Sequence, residues 1–208
     1  MLALFEPWED HYRTQGFSRI AGVDEVGRGC IAGPVVAAAV ILPEGVCFPG
    51  LNDSKKLTPL QRDRLFPRIL EQAVAFGVGI VSVSLIDHLN ILQASLLAMH
   101  QALRRMRPVP DLALIDGKMK IADLSVCHQE TLIDGDARCA SIAAASVVAK
   151  VTRDRLMAYC DRDYPLFAFA THKGYGTAAH LRALAAHGVT PLHRRSFAPV
   201  KDRVAQLR

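Results

Sequence analysis

Residues 20–29 constrain this 208-residue chain more than any other stretch. The apolar run over residues 18–23 has the length of a buried strand, and closely spaced glycines follow it. Two adjacent carboxylates, Asp24 and Glu25, come directly after the run. Buried carboxylates need a positive partner, and their hard oxygen atoms suit Mg²⁺ or Mn²⁺. The pattern therefore indicates a divalent metal site; a polar turn that caps the strand is the simpler alternative.

Arg28, which stands between Gly27 and Gly29, adds a second chemical feature to this stretch. Glycine lets a backbone approach a ligand closely or adopt a positive φ. Arginine binds phosphate through its planar fork of donors. A pair of acids that could bind metal, followed by a loop that could bind phosphate, indicates chemistry on a phosphodiester.

Two further acids are expected to join the first pair. Asp116 ends a predicted strand, and Asp136 follows Gly135 just before a helix. If the two acid-bearing strands are neighbours, their carboxylates converge at one edge of a sheet. Such a cluster needs cations, and two divalent ions about 3.5–4 Å apart would activate a water and stabilise the leaving oxygen. Taken alone, each of these two acids is more often a turn or capping residue.

The order of apolar patterns predicts an α/β fold, with helices on the faces of a sheet. A capping box at Thr58 and Gln61, with Pro59 at the first helical position, predicts a helix start. The predicted strands cover residues 18–23, 34–42, 77–85, 111–117 and about 124–127. The predicted helices cover residues 59–76, 86–106 and 139–160, and a last one between Thr177 and Gly188. Residues 1–17 are expected to be a leader that packs against the body of a single domain spanning residues 1–208.

The net charge of +5 is concentrated near the C-terminus. Residues 172–208 hold seven Lys or Arg against one Asp, or +6, and the other 171 residues hold 18 against 19, or −1. A basic segment of this kind fits a polyanionic partner, although charge alone would equally describe a solubilising tail. Gly, Tyr and Phe residues around the basic side chains favour nucleic acid.

Other classes of protein are disfavoured by the composition. No stretch reaches the roughly 18 apolar residues of a membrane span. The first ten residues turn acidic and lack the basic start of a signal peptide. Five cysteines without a C-x-x-C pair indicate free thiols and no zinc site. We therefore expect a cytoplasmic protein, and we expect a monomer because nothing indicates a dimer interface.

Several blocks of the sequence together resemble one known family. They are Ala21-Gly-Val-Asp-Glu-Val-Gly-Arg-Gly29, Leu51-Asn-Asp-Ser-Lys-Lys-Leu57, Leu114-Ile-Asp-Gly117, the segment 140–154, His172-Lys-Gly-Tyr-Gly-Thr177 and His193-Arg-Arg-Ser-Phe197. In this order, over roughly residues 19–201, they resemble ribonuclease HII, the bacterial type 2 ribonuclease H.

The resemblance implies an RNase H-like mixed β-sheet flanked by helices, with a small helical C-terminal extension. It implies an endoribonuclease that cleaves RNA in RNA–DNA hybrids and nicks 5′ of a single ribonucleotide in duplex DNA, with Mn²⁺ or Mg²⁺ as cofactor. The implied metal ligands and catalytic residues are Asp24, Glu25, Asp116 and Asp136. The implied contacts to the ribose 2′-OH are Gly27, Arg28 and Gly29, Tyr175 would stack on the next sugar, and the implied phosphate contacts are Lys55, Lys173, Arg194 and Arg195.

One departure from the family pattern concerns the fourth ligand. The family commonly has Lys-Gly-Asp where this chain has Asp134-Gly135-Asp136, so that Asp134 could compete with Asp136 for metal. Asp136 is retained as the predicted ligand because it follows the glycine. Two alternatives remain open: another RNase H-like nuclease, such as a junction resolvase or integrase, and a nucleic-acid-binding protein without catalysis. The intact acids disfavour the latter, because a pure binder would gain affinity by losing negative charge near phosphate.

Overall fold

The structure, a computed structural model, describes residues 5–206. The strands are β1 Ile20–Val26, β2 Val35–Ile41, β3 Ala75–Val81, β4 Leu112–Asp116 and β5 His128–Leu132. The helices are α1 Trp8–Arg13, α2 Pro59–Gln72, α3 Val83–Leu89, α4 Ile91–Arg104, α5 Gly135–Arg138, α6 Ala140–Asp163, α7 Phe169–His172, α8 Ala178–His187 and α9 Val200–Gln206, with a 3₁₀ turn at Pro165–Phe167. None of these described helices is long and apolar enough to cross a membrane. The first four residues of the predicted leader, and residues 207 and 208, lie outside the described part.

The five strands form one mixed sheet in the order β3-β2-β1-β4-β5. β1 pairs antiparallel with β2 and parallel with β4; β3 extends the antiparallel side and β5 the parallel side. β2 is buried along its whole length, as expected for a strand covered on both faces. Because β1 and β4 run in the same direction, their carboxyl ends meet at the same edge of the sheet.

Helices cover both faces of the sheet. Ala21 and Val23 of β1 point into the core that α4 covers, so Gly22 and Asp24 point to the other face, against α6. A Cβ atom at Gly22 would lie 2.1 Å from the backbone carbon of Ser141. The absence of that atom lets the alanine-rich α6 lie directly on β1, which brings the middle of α6 close to the sheet edge where the acids stand.

The first strand is longer than predicted. β1 continues to Val26, so Asp24 and Glu25 lie inside the strand instead of after it. Both acids pair with alanines of β2, Asp24 with Ala38 and Glu25 with Ala37. The backbone pairing therefore extends through the acids and directs their side chains to opposite faces.

The predicted α2 start is confirmed by the Thr58–Gln61 capping box, but the helix ends at Gln72 and not near residue 76. The predicted strand 77–85 is shifted, because the sheet pairing of β3 begins at Ala75 and Ser82 already precedes α3. The single helix predicted over residues 86–106 is wrong. It is divided at Asn90, whose φ of 73° is incompatible with a helix and whose side chain caps α4.

The fifth strand was predicted around residues 124–127, and this was wrong as well. β5 forms at His128–Leu132, where four consecutive polar residues precede Leu132, because its parallel pairing with β4 outweighs its weak apolar pattern. The last predicted helix is confirmed: Thr177 caps α8 and Gly188 ends it. α1 lies against the body through Glu9, which accepts a hydrogen bond from the backbone N–H of Ser141. Glu6, just before the helix, pairs with Arg138.

Candidate active site

Asp24, inside β1, lies beside Asp116, the last residue of β4. Val23 pairs with Ile115 in the parallel ladder, and the same register sets Asp24 beside Asp116 one residue further on. Neighbouring strands lie about 4.7–4.9 Å apart. Both carboxylates face α6, because Val23 and Ile115 belong to the core on the opposite face.

Asp136 reaches this edge from α5, which follows β5. The N–H of Gly135 donates to Asp116 Oδ1 at 2.8 Å and so ties the start of α5 to the end of β4. Asp136 is buried, and its Oδ2 accepts a hydrogen bond from Lys55 Nζ at 3.1 Å. The structure thus brings the predicted acids to one edge of the sheet. The exposed Asp134 is at φ 54° just before α5 and makes no capping hydrogen bond.

Burial and neighbouring carboxylates raise the pKa values of Asp24 and Asp116. Burial, followed by the charges of Glu25, Asp116 and Asp136, raises the pKa of Asp24 well above its usual range. Burial, followed by the charge of Asp136, raises the pKa of Asp116 to about 6. The backbone N–H groups that hydrogen-bond these two carboxylates only partly offset this repulsion. A cluster of this kind is stabilised by cations.

The donor set fits a divalent ion, since carboxylate oxygens are the ligands that Mg²⁺ and Mn²⁺ prefer. Within residues 5–206, however, no three His, Cys, Asp or Glu side chains are already arranged as a metal site. Two features account for this. Asp24 and Glu25 leave the strand on opposite faces, and two of the acids are held by cationic side chains: Arg28 Nη1 lies 3.1 Å from Glu25 Oε1, and Lys55 holds Asp136.

The loop formed by Gly27, Arg28 and Gly29 follows the acids directly. Gly27 has a φ of +96°, which favours glycine. The side chain of Arg28 is half exposed, and the position of Gly29 is open on its outer side. The loop therefore presents backbone and one guanidinium next to the acidic edge.

The prediction that Arg194 contacts phosphate is contradicted by its burial. Its exposure is 0%, and its guanidinium donates to the carbonyl oxygens of Gly27, Arg28 and Gly33. Each of its three nitrogen atoms donates to a carbonyl oxygen inside the protein. Arg195, the next residue, is exposed, and its backbone N–H donates to Asp87.

Tyr175 projects from the loop between α7 and α8, with 42% of its surface exposed. Its hydroxyl group contacts the thiol of Cys30, the residue after the glycine loop. A cavity of about 580 Å³ lies beside it, lined in part by Arg62, Lys150 and Lys173. The Lys150 ammonium is 5.9 Å from the centre of the tyrosine ring. Tyr175 thus stands between the glycine loop and a groove with several basic side chains.

Buried histidines hold the Tyr175 loop in place. The N–H of Thr190 donates to His193 Nδ1, so His193 Nε2 carries the proton and donates to His180 Nε2 at 3.1 Å. His180 Nδ1 then donates to the carbonyl oxygen of Tyr175 at 2.8 Å. This order of donors requires both rings to be neutral. Burial, followed by the charge of His180, lowers the pKa of His193 to about 4, and burial also lowers the pKa of His180.

The remaining predicted basic residues differ in accessibility. The side chain of Lys55 is 77% exposed although it pairs with Asp136. Lys173 is partly buried, and its ammonium group donates to the carbonyl oxygen of Ala170.

Three residues that support this site were missed from the sequence: Arg153, His180 and His193. The sequence predicts no role for Arg153, yet its exposure is 0%. The signal that could have identified it is its spacing, since it falls on the face of the helix defined by Ala149, Met157 and other buried residues. The histidines gave no such signal, because their hydrogen bonds to Thr190, to Tyr175 and to each other follow no regular spacing.

A mixed five-stranded sheet with helices on both faces and an acidic edge defines a nuclease of the RNase H-like fold. A ribonuclease H2 from Pyrococcus horikoshii has a similar structure, with a TM-score of 0.77 and 26% identity over 92% of this chain and 99% of that one. Bst-RNase HIII in complex with Mn²⁺ shares the fold, with a TM-score of 0.70, 21% identity and coverage of 98% and 74%. The predicted fold class is confirmed.

The family profile described as Ribonuclease HII matches residues 21–200. A Ribonuclease HII from Endomicrobium trichonymphae is 48% identical over 96% of this chain and 94% of its own length, and one from Geobacter sulfurreducens is 51% identical over 97% and 92%. The chain belongs to the Ribonuclease HII family, whose members are metal-dependent endoribonucleases that act on RNA–DNA hybrids. The predicted family and enzyme class are confirmed.

Proposed function

We propose that this ribonuclease nicks duplex DNA on the 5′ side of a single embedded ribonucleotide, besides cleaving the RNA strand of hybrids. The observation that carries the proposal is the position of the glycine loop. Gly27 follows Asp24 by three residues. The loop that would contact the ribose therefore adjoins the acids that would bind metal. The 2′-OH is the group that distinguishes RNA from DNA at one nucleotide.

Asp24, Glu25, Asp116 and Asp136 would hold two Mg²⁺ or Mn²⁺ ions. When bound, such ions supply an activated water and stabilise the charge that develops on the phosphate. The raised pKa values of Asp24 and Asp116, which burial and neighbouring carboxylates cause, support this assignment, as does the fold shared with the Mn²⁺ complex of Bst-RNase HIII. Arg28 and Lys55 now neutralise Glu25 and Asp136, and each could turn to a substrate phosphate once a metal ion takes over that task.

We assign recognition of the substrate to two loops, the glycine loop Gly27–Gly29 and the loop that carries Tyr175. The backbone of Gly27 and Gly29, together with Arg28, would contact the 2′-OH, and the exposed ring of Tyr175 would stack on the sugar of the next deoxynucleotide. Lys55, Lys173 and Arg195 would contact phosphates. Such contacts set the register of the duplex without reading its sequence.

Because a water molecule and not the 2′-OH attacks, the expected products carry 3′-hydroxyl and 5′-phosphate ends. A 2′,3′-cyclic phosphate would contradict this mechanism. We further propose that the protein is cytoplasmic, since its five cysteines are free thiols, and that it is a monomer. Light scattering after gel filtration tests the monomer.

The decisive experiment uses a labelled DNA duplex with one ribonucleotide, incubated with Mg²⁺, Mn²⁺ or EDTA beside a matched all-DNA duplex. We expect one metal-dependent nick 5′ of the ribonucleotide and no cleavage of the control. Cleavage of both duplexes would favour resolvase-like activity. Binding without cleavage would favour a non-catalytic protein.

A further inference from the structure

Two fully buried guanidinium groups, those of Arg153 and Arg194, lie beneath the two recognition loops. In the described part of the chain no carboxylate lies within 4 Å of either group. A buried charge is unfavourable unless its hydrogen bonds are made. Both side chains make theirs with backbone carbonyl groups, and the identity of those carbonyl groups suggests the role of the arginines.

Arg194 connects the glycine loop to Gly33, which lies just before β2. Its Nη2 donates to the carbonyl oxygen of Gly27 at 2.7 Å, and its Nη1 donates to that of Arg28 at 2.9 Å. Its Nε and Nη2 donate to the carbonyl oxygen of Gly33 at 3.0 and 2.8 Å. One planar fork therefore fixes where the loop leaves β1 and where it turns towards β2.

Arg153 connects the same segment to the loop that carries Tyr175. Its Nε and Nη2 donate to the carbonyl oxygens of Pro34 and Ala32 at 2.9 and 3.1 Å. Its Nη1 donates to the carbonyl oxygen of Lys173 at 2.8 Å, two residues before Tyr175. The N–H of Ala32 also donates to the carbonyl oxygen of Gly174, so the two loops are joined by backbone as well.

Gly27 is in contact with this arrangement. A Cβ atom on Gly27 would lie 2.2 Å from Arg153 Nε. Glycine is thus required at position 27 for two reasons: the positive φ and the close approach of the Arg153 side chain. The shape of the loop and the position of Arg153 are determined together.

We infer that Arg153 and Arg194 are positioning residues that set the separation between the Gly27–Gly29 loop and Tyr175. This role rests on the function proposed above. It makes the two arginines determinants of specificity for the junction between a ribonucleotide and the following deoxynucleotide. Neither group touches the substrate. A lysine would keep the charge but has no planar fork, and so could not hold carbonyl groups on two separate segments.

The test compares Arg153→Lys and Arg194→Lys with the unmodified enzyme on two substrates. One is a DNA duplex with a single ribonucleotide, which offers both the 2′-OH and the next deoxyribose. The other is a hybrid with a continuous RNA strand. We expect kcat/KM to fall about 10- to 100-fold on the first, as a misplacement near 1 Å would cause, and less on the second. A loss of folded protein would lower both rates equally.

A double-mutant cycle with Tyr175→Ala tests the coupling directly. If Arg153 acts through the placement of Tyr175, then Arg153→Lys should cost much less in the Tyr175→Ala background than alone. Equal costs in both backgrounds would overturn the inference while leaving the proposed function intact. If the unmodified enzyme fails to nick the single-ribonucleotide duplex, the proposed function itself is wrong.

Gly174→Ala provides a second route should an arginine variant not fold. Its Cβ atom would lie 2.3 Å from the carbonyl oxygen of Ala32 and would force the loops apart without removing either guanidinium. We expect the same selective loss on the junction substrate, and an unchanged ratio of the two rates would contradict the inference. Arg105→Lys is the control, because the exposed Arg105 also donates to a backbone carbonyl oxygen, that of Val78 on the edge strand β3, away from both loops.

Discussion

Within residues 5–206, Asp24 and Asp116 form no ion pair, although Arg28 holds Glu25 and Lys55 holds Asp136. Burial and neighbouring carboxylates therefore raise the pKa values of Asp24 and Asp116. A carboxyl group with a raised pKa in the folded protein destabilises it once pH exceeds the usual carboxyl pKa, because the unfolded chain then releases its proton more readily. At neutral pH the metal-free protein should therefore be less stable than its packing allows.

Asp116→Asn should separate stability from activity. We expect the metal-free protein to melt a few degrees higher at pH 7.5, since about 1 kcal/mol shifts the midpoint by about 2–4 °C in a chain of this size. Cleavage should fall at least about 1,000-fold, because several kcal/mol of transition-state charge stabilisation are lost. Melting in EDTA and single-turnover cleavage measure the two effects.

Binding of the hybrid should be unchanged or tighter in Asp116→Asn, because a negative charge near phosphate is gone. Loss of binding together with cleavage would undermine the metal-site assignment. The exposed Glu44, changed to Gln, serves as the control that should alter neither property.

Asp134 and Asp136 form a matched pair for the fourth ligand. Asp136 is buried and bonded to Lys55, while Asp134 is exposed. We expect Asp136→Asn to lower kcat at least about 100-fold, through loss of several kcal/mol of charge stabilisation, and Asp134→Asn to change it less than about twofold. Titration with Mn²⁺ at fixed substrate measures both. A larger effect from Asp134→Asn would assign the ligand to the residue before the glycine.

At the scale of elements, what could be predicted from sequence is what local chemistry determines. Thr58 and Thr177 are N-cap residues, and they predict the starts of α2 and α8. The apolar run of β2 predicts that strand without help from its neighbours. β5 could not be placed, because its pairing with β4 and not its own pattern defines it. The four acids were recognised as a group. That the side chains of Asp24 and Glu25 point to opposite faces of the sheet could not be predicted, because it depends on the pairing of β1 with β2.

The Tyr175 loop should be sensitive to acid because neutral histidines support it. His193 faces His180, His172 and Thr190, and its pKa is lowered to about 4. Between pH about 6.5 and 4 the unfolded chain takes up a proton that folded His193 does not, so stability falls as pH is lowered through that window. The stability that neutral His193 contributes should be fully present above pH about 6.5.

His193→Gln should flatten this dependence. The variant is expected to be less stable than the unmodified protein at pH 7.5, yet to lose less stability between pH 6.5 and 4.5. Melting temperatures across that range measure the difference, with the exposed His88→Gln as control. Parallel curves for His193→Gln and the unmodified protein would show that this ring does not govern acid sensitivity.

At the scale of the whole molecule, the basic segment 172–208 is not one uniform surface. Arg194 supports the fold from inside, while Arg195 and Lys201 are exposed. The charge count of +6 therefore overstates the charge that nucleic acid would meet there. Sequence alone could not show this, because two adjacent arginines look identical until the carbonyl groups around them are known.

Arg194 and Arg195 should consequently differ in how they affect binding at different salt concentrations. Each phosphate contact contributes about 1 to the slope of log affinity against log salt. We expect Arg195→Ala to reduce that slope by about 1 and weaken binding on all sequences alike. Arg194→Lys, which keeps a buried charge, should leave the slope unchanged while it lowers cleavage at the junction.

Anisotropy titrations in EDTA with the single-ribonucleotide duplex measure the slope, with the exposed Arg104→Ala on α4 as control. An unchanged slope for Arg195→Ala would remove it from the phosphate contacts, and a reduced slope for Arg194→Lys would mean that its charge, despite burial, is felt by the duplex.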